Sequence, residues 1–519
     1  MNFELLNIIK EKGLLLEKEI FEALNNISDP SIIRKLLENF EFVSGQKMIT
    51  RSSLIKNWVV SKNILDGINS EYLNIFIQLG IQIDVKKKEV KNLQKPSYTI
   101  HYADTTCDKK INVADFVGHF RARYKEIQKI LLARSDLNNL ISINKISNTR
   151  QQFSIIGMVT EKRLTKNKNL IIAFEDLTGK TNIVFKQGGV SFKSAEELQL
   201  DEVVAIRCSG STELIMGYEI YFPDSFVLQK TKFEEDCNLA FISDIHVGSK
   251  KFLKPEFERF IEWLNGEDEQ AKKIKYLFVV GDSVDGVGVF PGQERLLNIK
   301  TLKGQYDSFA DYLKDVPERI TIFMCPGQHD ASRVLEPQPI LDKTYAGSLY
   351  GLPNLVLVPN PCLVKLYEKD KEFKVQMYHG ASIHTFINNI EELRLIKAHK
   401  SPAKAVKHML KRRHFAPSHG ISASIVYVPN PEKDPLVISE VPDIVCTGEV
   451  HRLDIERYNG TLIMTGSCWQ ARTEFEEKVG NIPDPCKVPI FNIKTHELKI
   501  FDFSISEERN LGKSEDFEK

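Results

Sequence analysis

Asp244 and His246 stand one residue apart in NLAFISDIHVGSK (238–250), directly after the apolar run 239–242. Both are good metal ligands, and the pattern recurs. YLFVVGDSVDG delivers Asp282; ITIFMCPGQHD delivers Gln328, His329 and Asp330; FKVQMYHG delivers His379; DIVCTGEVH delivers Glu449 and His451. One imidazole at a strand end is ordinarily a satisfied core residue. Five successive apolar runs ending in Asp, His, Gln or Glu imply a shared metal site instead. In open α/β sheets such sites form beyond the carboxyl ends of the strands, so all five clusters are expected along one edge.

The elements that must position these residues follow from periodicity. From residue 238 onward apolar runs alternate with helical stretches, the pattern of an α/β domain, assigned to 236–505. Ahead of it, after a helix carrying Val113, Phe116, Val117, Phe120, Tyr124 and Ile127, the stretches FSIIGMVTEKR, NLIIAFEDLTGKTNIVF, EVVAIRCSGSTEL and YEIYFPDSFVLQ read as short strands. With Gly157 and Gly179 where a small barrel bends or turns, they predict a helix plus an OB-fold barrel over 111–235. Residues 1–83 read as an α-helical module, with Asp29-Pro30 as cap and first helical position and Ile32, Ile33, Leu36, Leu37 and Phe40 at helical spacing. The lysine-rich stretch 84–110 reads as a linker and 506–519 as a polar tail.

Composition excludes several classes. Lys plus Arg and Asp plus Glu both number 70 in 519 residues, so no overall basic field draws the chain onto nucleic acid or a membrane. Any polyanion contact is local or shared with a partner. No apolar run approaches the roughly 20 residues of a membrane helix, and the N-terminus becomes charged too early for a signal peptide. A cytoplasmic, nucleoid-associated protein without membrane contact is expected. The eight cysteines form no Cys-x-x-Cys pair and are expected as reduced, mostly buried thiols.

The ligand series resembles the calcineurin-like metallophosphoesterase superfamily, which includes the Mre11 nucleases. It matches at Asp244, His246, Gly281, Asp282, Gly327, His329, Asp330, His379, Gly448 and His451, and departs at Gln328, where the family has Asn, and Glu449, where it has His. With the barrel in front, and with GMVTEKR, FEDLTGK, PGQHDASR, MLKRRHFAPSHG and VPDIVCTGEVHRLD, residues 111–505 resemble the small subunits of archaeal family-D DNA polymerases, relatives of the eukaryotic replicative B subunits. The resemblance implies a two-sheet sandwich with flanking helices and two divalent metal ions. Mixed carboxylate and imidazole ligation suits Mn²⁺, with Mg²⁺, Fe and Zn²⁺ as competitors.

Carried over by position, Asp244, His246 and His451 hold the first metal, Asp282 bridges, and Gln328, His379 and Glu449 take the second. His329 becomes the acid at the leaving oxygen, with Asp330 orienting its ring. The stretch 394–414 carries eight Lys or Arg, three His and no acid, which offers Lys404, Lys407, Lys411, Arg412 and Arg413 as a phosphate track or as a solvated helix face. The implied activity is a 3′→5′ proofreading exonuclease acting on single-stranded primer ends, with synthesis supplied by a large catalytic subunit. A sliding clamp is a further candidate partner, although no clamp-binding peptide stands out. Two other readings stay open: a catalytically weak or inactive assembly subunit, and a stand-alone Mre11-like nuclease or phosphatase.

Overall fold

Leu239, Ala240, Phe241 and Ile242 alternate between two apolar interiors, so the strand Asn238–Ile242 is buried on both faces. The same holds for Ile274–Val280, where Tyr276, Phe278 and Val280 face one core and Leu277 and Val279 the other. Near-continuous apolar runs are what doubly covered parallel strands require. These strands and Thr321–Cys325 lie parallel and adjacent, within the six-stranded order 355–357, 321–325, 274–280, 238–242, 487–492, 498–502. A second six-stranded sheet runs 454–458, 461–465, 444–447, 371–377, 362–368, 98–101.

Phe241, Phe278 and Phe323 from the first sheet share one core with Val364, Val375, Ile444 and Met464 from the second. The two sheets therefore pack face to face. Helices Lys254–Asn265 and Leu302–Lys314 cover the outside of the first through Phe257, Phe260, Tyr306 and Phe309. Helix Ala403–Arg412 covers the second, placing Val406, Met409 and Leu410 with Val445 and Ile463. The result is a helix–sheet–sheet–helix sandwich. The single edge expected for all five ligand clusters is corrected here: three come from the first sheet and two, after Lys371–Met377 and Ile444–Thr447, from the second.

The computed structural model describes residues 3–25, 48–50, 97–103, 110–418 and 427–504. The chain divides into two units, Met1–Gln94 and Lys95–Lys519. In the first, helices Phe3–Lys12 and Lys18–Asn25 bury Leu5, Ile8, Ile20 and Leu24, and Leu15–Leu16 pairs in parallel with Met48–Ile49. The helix expected after Asp29-Pro30, most of the lysine-rich stretch and the tail from 506 lie outside the described residues. Within that stretch, Tyr98–His101 is a strand rather than a linker, antiparallel to Cys362–Glu368, with Tyr98 and Ile100 against the inter-sheet core. Two apolar residues in alternation are too few to stand out among lysines.

The strands Gln151–Leu164, Leu170–Glu175, Lys180–Phe185, Ile215–Tyr221 and Val203–Gly210 close a barrel in that order, as expected of an OB-like module. A Cβ on Gly157 would come within 2.5 Å of the Phe174 ring, so glycine lets the long strand pass over that side chain. Helix Val113–Leu132 forms as predicted and buries Tyr124 and Ile127 of the expected face, but Val113 is 80% exposed and Asp115, His119 and Arg123 are buried as well. Polar side chains join the buried face because Asp434 answers them, 2.6 Å from Arg123 Nε and 3.3 Å from His119 Nε2. The seven described cysteines are free and buried. No helix among the described residues is long and apolar enough to cross a membrane.

Candidate metal centre

Three of the five ligand loops turn sharply off their strands. Asp244, His246, Asp282, Glu449 and His451 all adopt positive φ, between 48° and 72°. Non-glycine residues held there cost on the order of 1–3 kcal/mol each, and persist where the surroundings over-determine them. The over-determination is visible in the backbone. Asp244 N donates to Gly281 O at 3.1 Å, and Ile245 N and His246 N donate to Asp282 O at 2.8 and 3.0 Å, so the first two loops are zipped together. Gly448 N donates to His379 O at 2.7 Å, which joins the last two. A Cβ on Gly448 would stand 2.5 Å from Asp244 Oδ2. Glycine there lets a loop of the second sheet approach a carboxylate of the first.

The side chains converge. His246 Nε2 and His451 Nε2 are 3.1 Å apart, and His451 Nε2 is 3.6 Å from Asp244 Oδ1. His379 Nε2 lies 3.3 Å from both Asp282 Oδ2 and Glu449 Oε2. Ligand atoms of Asp244, His246 and His451 form one group within 4.8 Å, and those of Asp244, Asp282 and His379 another. Asp244 Oδ2, His379 Nε2 and Gln328 Oε1 are buried without a hydrogen-bond partner. Buried polar atoms are seldom left so, and three of them among acids and imidazoles fit cation binding.

Protonation makes the same point. Burial lowers the basicity of His379, yet Asp282, Glu449 and Asp244 outweigh it and hold the imidazolium well above the usual range. Burial also works against His451, and Glu476 with Asp244 nevertheless raises it to about 9. Asp282, for which burial acts upward, is held below the carboxylate range by His379, His329 and His246. In Asp244, burial outweighs His451 and His379 and the carboxyl is raised. The site is a buried negative well that binds protons strongly, and a divalent cation satisfies the same well.

One expected role changes. Asp330 does not orient His329: its carboxylate accepts from Ser283 N and Oγ at 3.2 and 2.5 Å, Gly327 N at 2.9 Å and Tyr306 Oη at 2.9 Å, so it ties two ligand loops to a helix. The ring of His329 is held instead by the Asp285 carbonyl, 2.7 Å from Nδ1. Asp285 also brings Oδ1 to 3.2 Å from His246 Nδ1, and with His246 and His329 makes a third group of possible ligands. Sequence reasoning passed over it, although it stands three residues after Asp282 in GDSVDG. Glu476, 3.0 Å from His451 Nδ1, was also missed. So was His384, whose Nε2 is 3.7 Å from Glu449 Oε1.

The phosphate track is largely corrected. Arg412 is buried, its Nε 2.7 Å from Glu202 Oε2 on the barrel. Arg413 is buried too and donates to the Ile438, Ser439 and Asp224 carbonyls. Lys411 lies 3.3 Å from Glu197 and over the Phe222 ring, and Lys407 is 3.5 Å from Glu456. Lys404 is exposed. Arg412 and Arg413 turn inward because Glu202 of the barrel meets the first and the Ile438 and Ser439 carbonyls of the α/β domain meet the second.

Two facing sheets with an acid–imidazole centre where their strand ends meet define an α/β sandwich domain with a candidate metal site, here preceded by a five-stranded barrel. Residues 239–453 match the family of B subunits of DNA polymerases alpha and epsilon. The DNA polymerase II small subunit of Pyrococcus furiosus is 38% identical over 407 residues, 76% of this chain and 64% of its own. Those of Methanothermobacter thermautotrophicus and Thermoplasma acidophilum are 30% and 32% identical over 96% of this chain, and 100% and 92% of their own lengths. The chain belongs to the family of archaeal DNA polymerase II small subunits. It spans just under two thirds of the Pyrococcus furiosus relative.

Proposed function

We propose that this chain is a metal-dependent 3′→5′ DNA exonuclease that removes mismatched primer ends for a large polymerase subunit. The observation that carries the reading is the meeting of five strand ends in one buried cluster with three orphaned ligand atoms, Asp244 Oδ2, His379 Nε2 and Gln328 Oε1. Asp244, His246, Asp282, Gln328, His379, Glu449 and His451 would hold two divalent cations, Mn²⁺ foremost, whose chemistry when bound would be Lewis acidity toward a phosphodiester and a lowered pKa of water.

The chain's own groups do the rest. His379 Nδ1 donates to Val280 O at 3.0 Å, which turns Nε2 toward the centre. His329 Nδ1 donates to the Asp285 carbonyl, which leaves Nε2 as its exchanging nitrogen. Burial opposes the imidazolium of His329, but Asp282 and the Asp285 carbonyl outweigh it and raise its pKa. That raised pKa favours the imidazolium, whose Nε2 proton is the one on offer to the departing 3′ oxygen.

A second reading, an assembly subunit with little activity, draws support from Glu449, whose Oε1 leans toward the surface imidazole of His384. Metal content and hydrolysis in Glu449→Ala separate the two. The nuclease reading expects loss of one cation per chain and at least a tenfold lower rate; unchanged content with no hydrolysis in either protein favours assembly.

A further inference from the structure

Between Asp285 and Gln293 the chain makes an excursion, GVGVFPG, that the hydrolytic chemistry above does not use. Val287, Val289 and Phe290 at its tip are 44%, 40% and 42% exposed. Gly286, Gly288 and Gly292 take positive φ, as a tight excursion requires. The loop is nonetheless fastened. Gln305, fully buried, accepts from Gly286 N at 2.9 Å and donates to Gly286 O at 3.0 Å. Gln293, also fully buried, accepts from Val289 N at 2.9 Å and donates to the Asp285 carbonyl at 2.8 Å. That carbonyl is the one that holds His329. The apolar tip and the proton-donating imidazole thus hang from a single peptide oxygen.

Basic residues stand on the segment that follows the tip and on the loop hydrogen-bonded to it. Lys250 N donates to Leu296 O at 2.8 Å, which sets Lys250 beside the returning strand of the loop and its Arg295. Lys250, Arg295 and Lys300 are exposed, and none forms an ion pair among the described residues. An apolar, aromatic projection with exposed cations on neighbouring segments, fastened to the peptide that holds His329, has the chemistry of a stacking platform for one unpaired nucleobase with its flanking phosphates.

We propose that Phe290, with Val289 beside it, is the platform on which the unpaired terminal base of a DNA strand stacks, while Lys250 and Arg295 hold the adjoining phosphates. Phe290 is then a positioning residue that favours frayed over paired ends, because a base within a duplex has no free face to offer. The inference rests on the nuclease reading for its substrate, but the stacking is measurable without hydrolysis.

The test uses a single strand whose 3′-terminal base is 2-aminopurine and whose last linkages are phosphorothioates, titrated with the full chain in Mn²⁺. Stacking on an aromatic ring quenches the fluorescence. Wild type and Phe290→Trp are expected to quench. Phe290→Ala is expected to leave the terminal base bright and to bind roughly five- to hundred-fold more weakly. Moving 2-aminopurine several nucleotides inward abolishes the difference between variants. Because the ring is partly exposed, matching melting curves confirm the fold of each variant.

Equal quenching and affinity in Phe290→Ala overturns the platform. So does loss of binding to a large polymerase subunit with quenching unchanged, which makes the tip a protein contact. Unmodified strands separate the two proposals: quenching without hydrolysis by wild type keeps the platform and removes the nuclease, whereas hydrolysis with Phe290-independent quenching does the opposite.

Discussion

His451 meets Glu476 at 3.0 Å through Nδ1, and the other oxygen of that carboxylate accepts from Thr473 N at 2.8 Å to close the capping box of helix Glu474–Val479. A helix cap therefore fixes the ring of a proposed metal ligand. Glu476→Gln keeps a capping-box residue but removes the charge that faces the imidazole. It is expected to weaken cation binding about 10- to 100-fold with little change in melting temperature. Titration calorimetry with Mn²⁺, beside a thermal melt, reads both.

Asp330, four times an acceptor for buried or partly buried donors, is expected to matter for folding. Asp330→Ala orphans Ser283, Gly327 and Tyr306, each unsatisfied group costing about 1–3 kcal/mol. Urea denaturation is expected to show a loss of at least about 3 kcal/mol. A stable Asp330→Ala protein with an altered pH–rate profile would return Asp330 to the catalytic role first expected of it.

Arg412 and Glu202 join the helix Ala403–Arg412 to the barrel with side chains 1% and 2% exposed. Removing one partner strands the other charge, so Arg412→Ala is expected to cost about 3–5 kcal/mol. The salt dependence of DNA binding is expected to stay as in wild type, because this guanidinium does not reach a phosphate. A lower salt slope with intact stability would restore the phosphate track.

Burial, with the Arg412 guanidinium beside it, pushes His408 down to about 2. At and above neutral pH His408 is uncharged whether the chain is folded or unfolded, and its contribution is complete. As pH falls below about 6.5 the unfolded chain takes up a proton that the folded chain refuses, and stability drops by about 1.4 kcal/mol per pH unit. Glu336 and Asp443, raised by burial to about 7 and about 6, act in the opposite sense. The informative quantity is thus the difference between wild type and His408→Gln at matched pH. It is expected to move by about 2 kcal/mol in favour of the variant between pH 7 and 5. A pH-independent difference would mean that His408 charges within the fold.

The doubly buried strands were legible because continuous apolar runs leave few alternatives, and the ligands were legible because they end those runs. Partition into two sheets was not, since a run such as 373–377 carries no mark of which sheet it joins. Asp285 left a faint signal beside Asp282. Glu476 left none: TEFE reads as a helix cap, and only the fold brings it to His451. The run 411–413 reads as a solvated basic face until Glu202 and the carbonyls of Ile438 and Ser439 arrive from elsewhere in the chain.

Hydrolysis of a mismatched 3′ end in Mn²⁺, compared between wild type and Asp282→Asn purified side by side, tests the nuclease claim most directly. Asp282 sits between His379 and the His329 backbone, 3.3 Å from the first and 2.8 Å from the second, and the amide would replace one carboxylate of the group Asp244, Asp282 and His379. Wild type is expected to release nucleotides from the 3′ end, and Asp282→Asn to fall at least 10²-fold, on the order expected when a reacting geometry is lost, while melting as a folded protein. Equal rates in the two preparations, or no release by wild type alone or with the proposed large polymerase subunit, would contradict the account.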